Sequence, residues 1–74
     1  MRQNRNREYI GCTCAGDASA KVIRRWSNGM VQTIYYGDVD AAENCYIRSC
    51  ESRMYRMGAW TSLDWKVKEG NSWV

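Results

Sequence analysis

The sequence contains no histidine, no proline and no phenylalanine among its 74 residues. Without histidine, the Ser-His and Cys-His arrangements that activate a nucleophile cannot form. Without proline, the sequence shows no rigid linker between domains. A chain of 74 residues also leaves room for one core and no second domain. These absences predict a single small domain without nucleophile–histidine catalysis.

Other chemistry-bearing patterns are scarce as well. The densest acidic cluster is Asp38, Asp40 and Glu43, and a turn followed by a helix cap explains all three carboxylates without catalysis. There is no glycine-rich phosphate loop and no metal motif of familiar spacing. The uncharged runs are short and broken by Ser, Asn, Gly or Thr, which excludes a membrane span. We therefore expect a monomer that is not an enzyme and has no cofactor.

Four cysteines, at positions 12, 14, 45 and 50, stand out in a chain of this length. A core of this size supplies little net stability, so a covalent staple is expected. Cys12 and Cys14 share one face of a predicted strand, and Cys45 and Cys50 lie far apart on a predicted helix, so neither pair bonds internally. The spacing predicts two strand-to-helix disulfides, either Cys12–Cys45 with Cys14–Cys50 or the crossed version.

A structural zinc site with four cysteine ligands is the alternative, but a C-x-C pair on a strand presents its sulfurs less favourably than zinc motifs do. Disulfides belong to oxidising compartments, so we expect an extracellular protein. No apolar stretch follows the N-terminal arginines, so no signal peptide is recognised. We favour a mature secreted domain with an added Met1 over a cytosolic protein with reduced thiols.

The charge is concentrated at the N-terminus. The net charge is +3, and three of the eleven basic residues fall in the first seven positions beside Gln and Asn. Such a composition cannot bury apolar surface. We predict a disordered basic tail at 1–7 and a single domain at 8–74.

Hydrophobic periodicity predicts an α+β fold. We expect a small disulfide-stapled sandwich with a three- to four-stranded antiparallel sheet and two helices. The strands are predicted near Glu8–Cys14, Met30–Tyr36 and Ser62–Lys68, and the helices near Ala18–Ser27 and Ala41–Tyr55. In the last strand, the alternation of apolar and charged residues from Leu63 onward predicts that Lys66 and Lys68 face outward.

The segment before Met30 also fits a different structure. Asn28-Gly29 is a strong hairpin signal, and it would join strands Lys21–Trp26 and Met30–Tyr36. An all-β sandwich is therefore the alternative fold.

The second predicted helix has its own start signal and core face. Asp40 and Glu43 have the form of a capping box. One stripe at helical spacing is predicted to face the core: Tyr46, Ile47, Cys50, Met54 and Met57.

Basic and aromatic residues are interleaved along the chain, a mixture that can hold single-stranded nucleic acid. The basic members are Lys21, Arg24, Arg25, Arg48, Arg53 and Arg56, and the aromatic members are Trp26, Tyr35, Tyr36 and Tyr55. Trp60 and Trp73 are candidates for a partner-facing patch, because tryptophan suits surfaces that a partner covers. The predicted partner-binding residues are Trp60, Trp73, Arg24, Arg25, Arg53 and Arg56.

The cysteine-bearing segments resemble a known group. The residues Tyr9 to Cys14 (Tyr-Ile-Gly-Cys-Thr-Cys), the following Gly16-Asp17, and Cys45-Tyr46-x-x-x-Cys50 resemble the layout of small secreted fungal proteins. Some of these resemble the α/β sandwich of virally encoded smut-fungus killer toxins, and many are candidate effectors of plant pathogens. The resemblance implies a virulence or antagonism role, exerted by binding a host or competitor protein. The alternative is a basic, aromatic nucleic-acid-binding module.

Overall fold

The computed structural model describes residues 11–74, which form one antiparallel sheet and two helices. The strands are β1 (Ala20–Trp26), β2 (Val31–Tyr36), β3 (Trp60–Glu69) and β4 (Ser72–Trp73), and the helices are α1 (Val39–Cys50) and α2 (Arg53–Arg56). The strand order is β2-β1-β3-β4, and each neighbouring pair is antiparallel. The predicted α+β class is confirmed. The predicted tail at 1–7 lies outside the described residues.

The predicted helix at Ala18–Ser27 is wrong, since this segment is β1, and the alternative hairpin is correct. The turn explains why. The Trp26 N–H donates to the Met30 carbonyl over 2.7 Å, and the Asn28 side chain accepts from the Met30 N–H over 2.9 Å. Gly29 has φ 95°, a left-handed conformation that suits a three-residue hairpin loop.

The first predicted strand, at Glu8–Cys14, is only partly described, and its described part is not a strand. Cys12 forms an isolated bridge with Tyr36. The Thr13 N–H donates to the Tyr35 carbonyl over 2.9 Å, so this segment lies along the outer edge of β2. A short 3-10 turn at Ala15–Asp17 then leads into β1.

The helical region begins two residues before the predicted capping box. Asp38 is the N-cap of α1, and its side chain accepts from the Asp40 N–H over 3.3 Å. The predicted continuous helix Ala41–Tyr55 is broken, because Ser52 is extended and starts α2. The Ser52 hydroxyl caps that turn by accepting from the Met54 N–H over 3.1 Å.

The predicted core stripe is correct only in part, because Tyr46 packs against the core and Cys50 is half-buried, but the other three residues are exposed. The buried residues of α1 are Ala42, Cys45 and Ser49, whereas Ile47 is 43 % exposed and Met57 is 72 % exposed. Small side chains allow the helix to approach the sheet closely. Ser49 tolerates burial because its hydroxyl donates to the Cys45 carbonyl over 2.8 Å.

The helices cover one face of the sheet and leave the other open. On β1, Ala20, Val22 and Arg24 are buried on the helix side, and the alternate residues Lys21, Ile23 and Arg25 lie on the open face. The shortest dimension of the molecule is 18 Å, close to the thickness of one sheet and one helix layer. Within residues 11–74, no helix has the length and apolar character needed to cross a bilayer.

The predicted disulfides are wrong. Cys12 and Cys14 are exposed, Cys45 is buried and Cys50 is half-buried, and no two of these four thiols lie at bonding distance. The prediction depends on a cysteine-bearing strand packed under the helix, but Cys12 lies at the edge of β2. Cys14 follows it outward, and its Sγ donates to an Asp17 carboxylate oxygen over 3.3 Å.

The separation of the thiols also removes the basis of several linked predictions. Secretion, a fungal source and an effector or toxin-like virulence role are inferred from a disulfide framework and from the spacing of its cysteines. With the cysteines apart, nothing in the fold supports these predictions. Residues 11–74 also contain no group of three or more Cys, Asp or Glu side chains placed to hold a metal ion.

Candidate functional site

Two aromatic rings meet across the open face. Tyr35 lies on β2 and Trp73 on β4, three strand spacings apart or about 14 Å between backbones. Their ring centroids are nevertheless 6.1 Å apart, with the planes tilted by 52°. Both side chains must therefore lean inward over β1 and β3, and together they form an aromatic platform above the sheet.

Lysines surround this platform. The Lys21 Nζ lies 4.4 Å from the centroid of the Trp73 ring, and the Lys68 Nζ lies 5.7 Å from it. Lys66 is directly opposite Lys21 in the β1–β3 register, and Tyr35 is opposite Lys21 on the other side. We call these five residues, Lys21, Tyr35, Lys66, Lys68 and Trp73, the aromatic–lysine cluster. All five are half-buried, so part of each side chain faces solvent.

The short strand β4 places Trp73 in this cluster. Gly70 has φ 62° and begins the tight turn after β3. Lys68 then pairs with Trp73, and the N–H groups of Val67 and Val74 each donate to the other's carbonyl over 2.9 Å. Because paired residues point to the same face, Trp73 follows Lys68 onto the open side.

Beyond the aromatic–lysine cluster, the described part of the open face carries one acidic side chain, Asp64, whose carboxylate is already hydrogen-bonded. Ile23 lies between Thr33 and Asp64 in the sheet register. An Asp64 carboxylate oxygen accepts from the Trp65 N–H over 2.9 Å. This bond holds the carboxylate toward the sheet edge and satisfies a backbone donor there.

The structure separates the predicted partner-binding residues into three places. Trp73 and Arg25 lie on the open face. Arg53 and Arg56 are exposed on α2. Trp60 and Arg24 are buried on the helix side, with 6 % and 2 % of their surfaces exposed. The predicted patch is therefore not one continuous surface.

Arg24 and Trp60 instead form part of the interior. The Arg24 guanidinium lies 4.5 Å from the centroid of the Trp60 ring. It donates to the Ser49 hydroxyl over 3.0 Å and to the Gln32 side-chain oxygen over 3.4 Å. The Trp60 ring also meets Trp26 edge-on, with centroids 5.6 Å apart. These contacts join α1, β1, β2 and β3.

Tyr46 and Cys50 form a second polar contact on the helix side. The Tyr46 ring lies beside Trp65, with centroids 6.3 Å apart. A side-chain hydrogen bond with Cys50 raises the pKa of Tyr46, and charge repulsion from Cys50, burial and the nearby Asp64 act in the same direction.

Sequence reasoning did not assign Lys66 and Lys68 to the site, although it placed them on the outward face of β3. The signal was the alternation of apolar and charged residues from Leu63 onward. That alternation identifies an outward face, but only strand pairing shows that β1 and Lys21 lie beside it.

Comparison with known proteins assigns no family to the chain. No family model matches it, and no curated protein or solved structure does. The resemblance to small fungal proteins therefore stays a prediction, and the functional argument depends on the chemistry of the surfaces described above.

Proposed function

We propose that the protein is a nucleic-acid-binding module that holds a single strand on the aromatic–lysine cluster. The observation that supports this most directly is the placement of two lysine ammonium groups, at 4.4 and 5.7 Å, around the Trp73 ring on the sheet face that α1 and α2 do not cover. Lysine ammonium groups bind phosphates, and an indole ring stacks on bases. The cluster combines both chemistries within one short stretch of sheet.

A single strand fits this surface better than a duplex. Stacking requires an unpaired base with an accessible face, and duplex bases present only their edges. Tyr35 and Trp73 lie 6.1 Å apart, so adjacent unpaired bases can contact both rings. Lys66, opposite Lys21 on β3, adds a third ammonium group to the same face for contact with phosphates.

The protein-binding role expected from the sequence has less support. Two of the six residues predicted to bind a partner, Trp60 and Arg24, are buried. The other four divide between the open face and α2. Stacking on Trp73 needs no such continuous patch, so the nucleic-acid alternative becomes the leading proposal.

The test is fluorescence anisotropy with labelled single-stranded DNA and RNA of about 16 nucleotides, the upper end of the site size for a small binding fold. We expect affinity to fall with increasing salt, because bound lysines release counterions. Replacing Trp73 with Ala should weaken binding by about 5- to 150-fold, the range for removing one stacked base. The double variant K21A/K68A should lower the salt slope by about 0.7 for each phosphate that is no longer neutralised.

The matched control is R53A/R56A, which removes the same net charge from α2. It should lower affinity less than K21A/K68A and leave the contribution of Trp73 intact. Binding that ignores ionic strength, or that is equally strong in W73A and the unmodified protein, would show that this face does not hold nucleic acid. A labelled duplex of the same length should bind more weakly than the single strand.

A further inference from the structure

The opposite end of the sheet carries a different surface, formed by two neighbouring loops. The Ser27 N–H donates to the Ala59 carbonyl over 2.8 Å, which joins the β1–β2 loop to the segment before β3. Trp26 and Trp60 pair in the register beneath these loops. The β1–β2 loop and the segment before β3 therefore lie at the same end of the molecule.

Large apolar side chains project into solvent at this end. Met57 is 72 % exposed and Met30 is 55 % exposed, one from each loop. We call the exposed set the methionine end: Met30, Val31, Met54, Tyr55 and Met57. Exposed apolar residues grouped in this way mark a surface that something covers.

The charge around the methionine end has one sign. Arg53 and Arg56 are exposed there, on α2. Residues 24–37 and 52–63, which supply this end of the molecule, contain no aspartate or glutamate. The nearest acids along the chain, Glu51 and Asp64, flank the second of these segments. A partner for this surface is therefore both apolar and anionic.

We propose that the methionine end binds the surface of an anionic membrane. Met30 and Met57 enter the headgroup region, and Arg53 and Arg56 contact anionic headgroups. Met30 directly follows the three-residue hairpin loop and Met57 is the C-cap of α2, so both lie at the end of the sheet that a membrane surface would meet. Flexible apolar side chains flanked by arginines have the composition of interfacial anchors.

This site is separate from the aromatic–lysine cluster. The two lie at opposite ends of β1, whose length from Lys21 to Trp26 is about 17 Å at 3.3 Å per residue. A protein attached through Met30 and Met57 therefore leaves Trp73 accessible. The membrane site does not depend on the nucleic-acid proposal, and each can fail without the other.

The experiment is co-sedimentation of the full chain with vesicles of phosphatidylcholine, with and without phosphatidylserine. We expect binding to the anionic vesicles and little to the neutral ones. R53A/R56A should weaken binding by about 25-fold, which corresponds to about 1 kcal/mol for each arginine. M30S/M57S should weaken it by about tenfold or more, because two apolar side chains no longer enter the interface.

K21A/K68A is the matched control, since it removes the same charge from the far end and should retain vesicle binding. Circular dichroism checks that each variant folds, and none of the altered side chains is fully buried. Equal binding to neutral and anionic vesicles, equal losses in R53A/R56A and K21A/K68A, or no sedimentation with any vesicle would overturn the proposal. If the protein sediments with no vesicle, an acidic protein becomes the expected partner of this end.

Discussion

Two contacts between a cation and a tryptophan, on opposite faces of the same sheet, have nearly the same geometry. The Arg24 guanidinium lies 4.5 Å from the Trp60 ring, and the Lys21 ammonium lies 4.4 Å from the Trp73 ring. The first pair is buried under the helices, whereas the second is partly exposed on the open face. Their environments therefore give the same contact two different roles.

The choice of cation follows from those environments. A guanidinium is weakly hydrated and has several donors in a fixed plane, so Arg24 can be buried while bonding Ser49 and Gln32. An ammonium is strongly hydrated and stays at the surface, where Lys21 remains available to a phosphate. The buried pair stabilises the fold, and the exposed pair can bind a ligand.

The largest effect should come from removing the buried ring. Trp60→Ala leaves a cavity beside Trp26 and Arg24 and should lower the free energy of unfolding by about 3–5 kcal/mol. Trp73→Ala should cost about 1 kcal/mol, because that ring is partly solvated. Urea unfolding followed by circular dichroism measures both changes. Similar losses in the two variants would mean that the faces do not differ as described.

The two cations should differ in the same direction. Arg24→Ala should lower the free energy of unfolding by about 2–4 kcal/mol, because it removes a large buried side chain and its hydrogen bonds to Ser49 and Gln32. Lys21→Ala should change it by less than about 1 kcal/mol. The same urea experiment decides this, and a large loss in the lysine variant would assign a structural role to the open face.

Reduction should have little effect on stability, since the cysteines form no disulfide. The thermal midpoint should be the same with and without dithiothreitol, and thiol counting in denaturant should find four reactive groups for each chain. A thermal midpoint that falls on reduction would contradict this and would indicate a disulfide between the edge segment at Cys12–Cys14 and α1.

The smallest expected effect is the titration of Tyr46 on the helix-covered face. Its pKa is raised, so the folded protein favours the neutral phenol. The free energy of unfolding should therefore fall only as pH rises above about 10, the ordinary tyrosine value, because the unfolded chain ionises there first. Cys50→Ala removes the hydrogen bond and should lower the pKa of Tyr46 toward that ordinary value. NMR of the Tyr46 ring against pH measures the shift, and an unchanged midpoint in the variant would contradict this cause.

Local patterns in the sequence predicted β2 and β3 well, because alternation over six or more residues is a strand signal in itself. They failed at β1, where Val22, Ile23 and Trp26 also fit one face of a helix. Nothing local distinguishes these structures. Pairing on both sides, with β2 and with β3, provides the hydrogen bonds that select the strand.

The sequence by itself determined the α+β class and the outward position of Lys66 and Lys68, since each depends on residues close together in the chain, and it offered the hairpin turn at Asn28-Gly29 only as an alternative. Only the tertiary structure decided which cation is buried, which cysteines are near one another and where Trp73 lies. Those depend on contacts between distant segments. Arg24 and Arg25 are adjacent in sequence, yet one lies inside and the other at the surface, because strand pairing fixes which side of the sheet each faces.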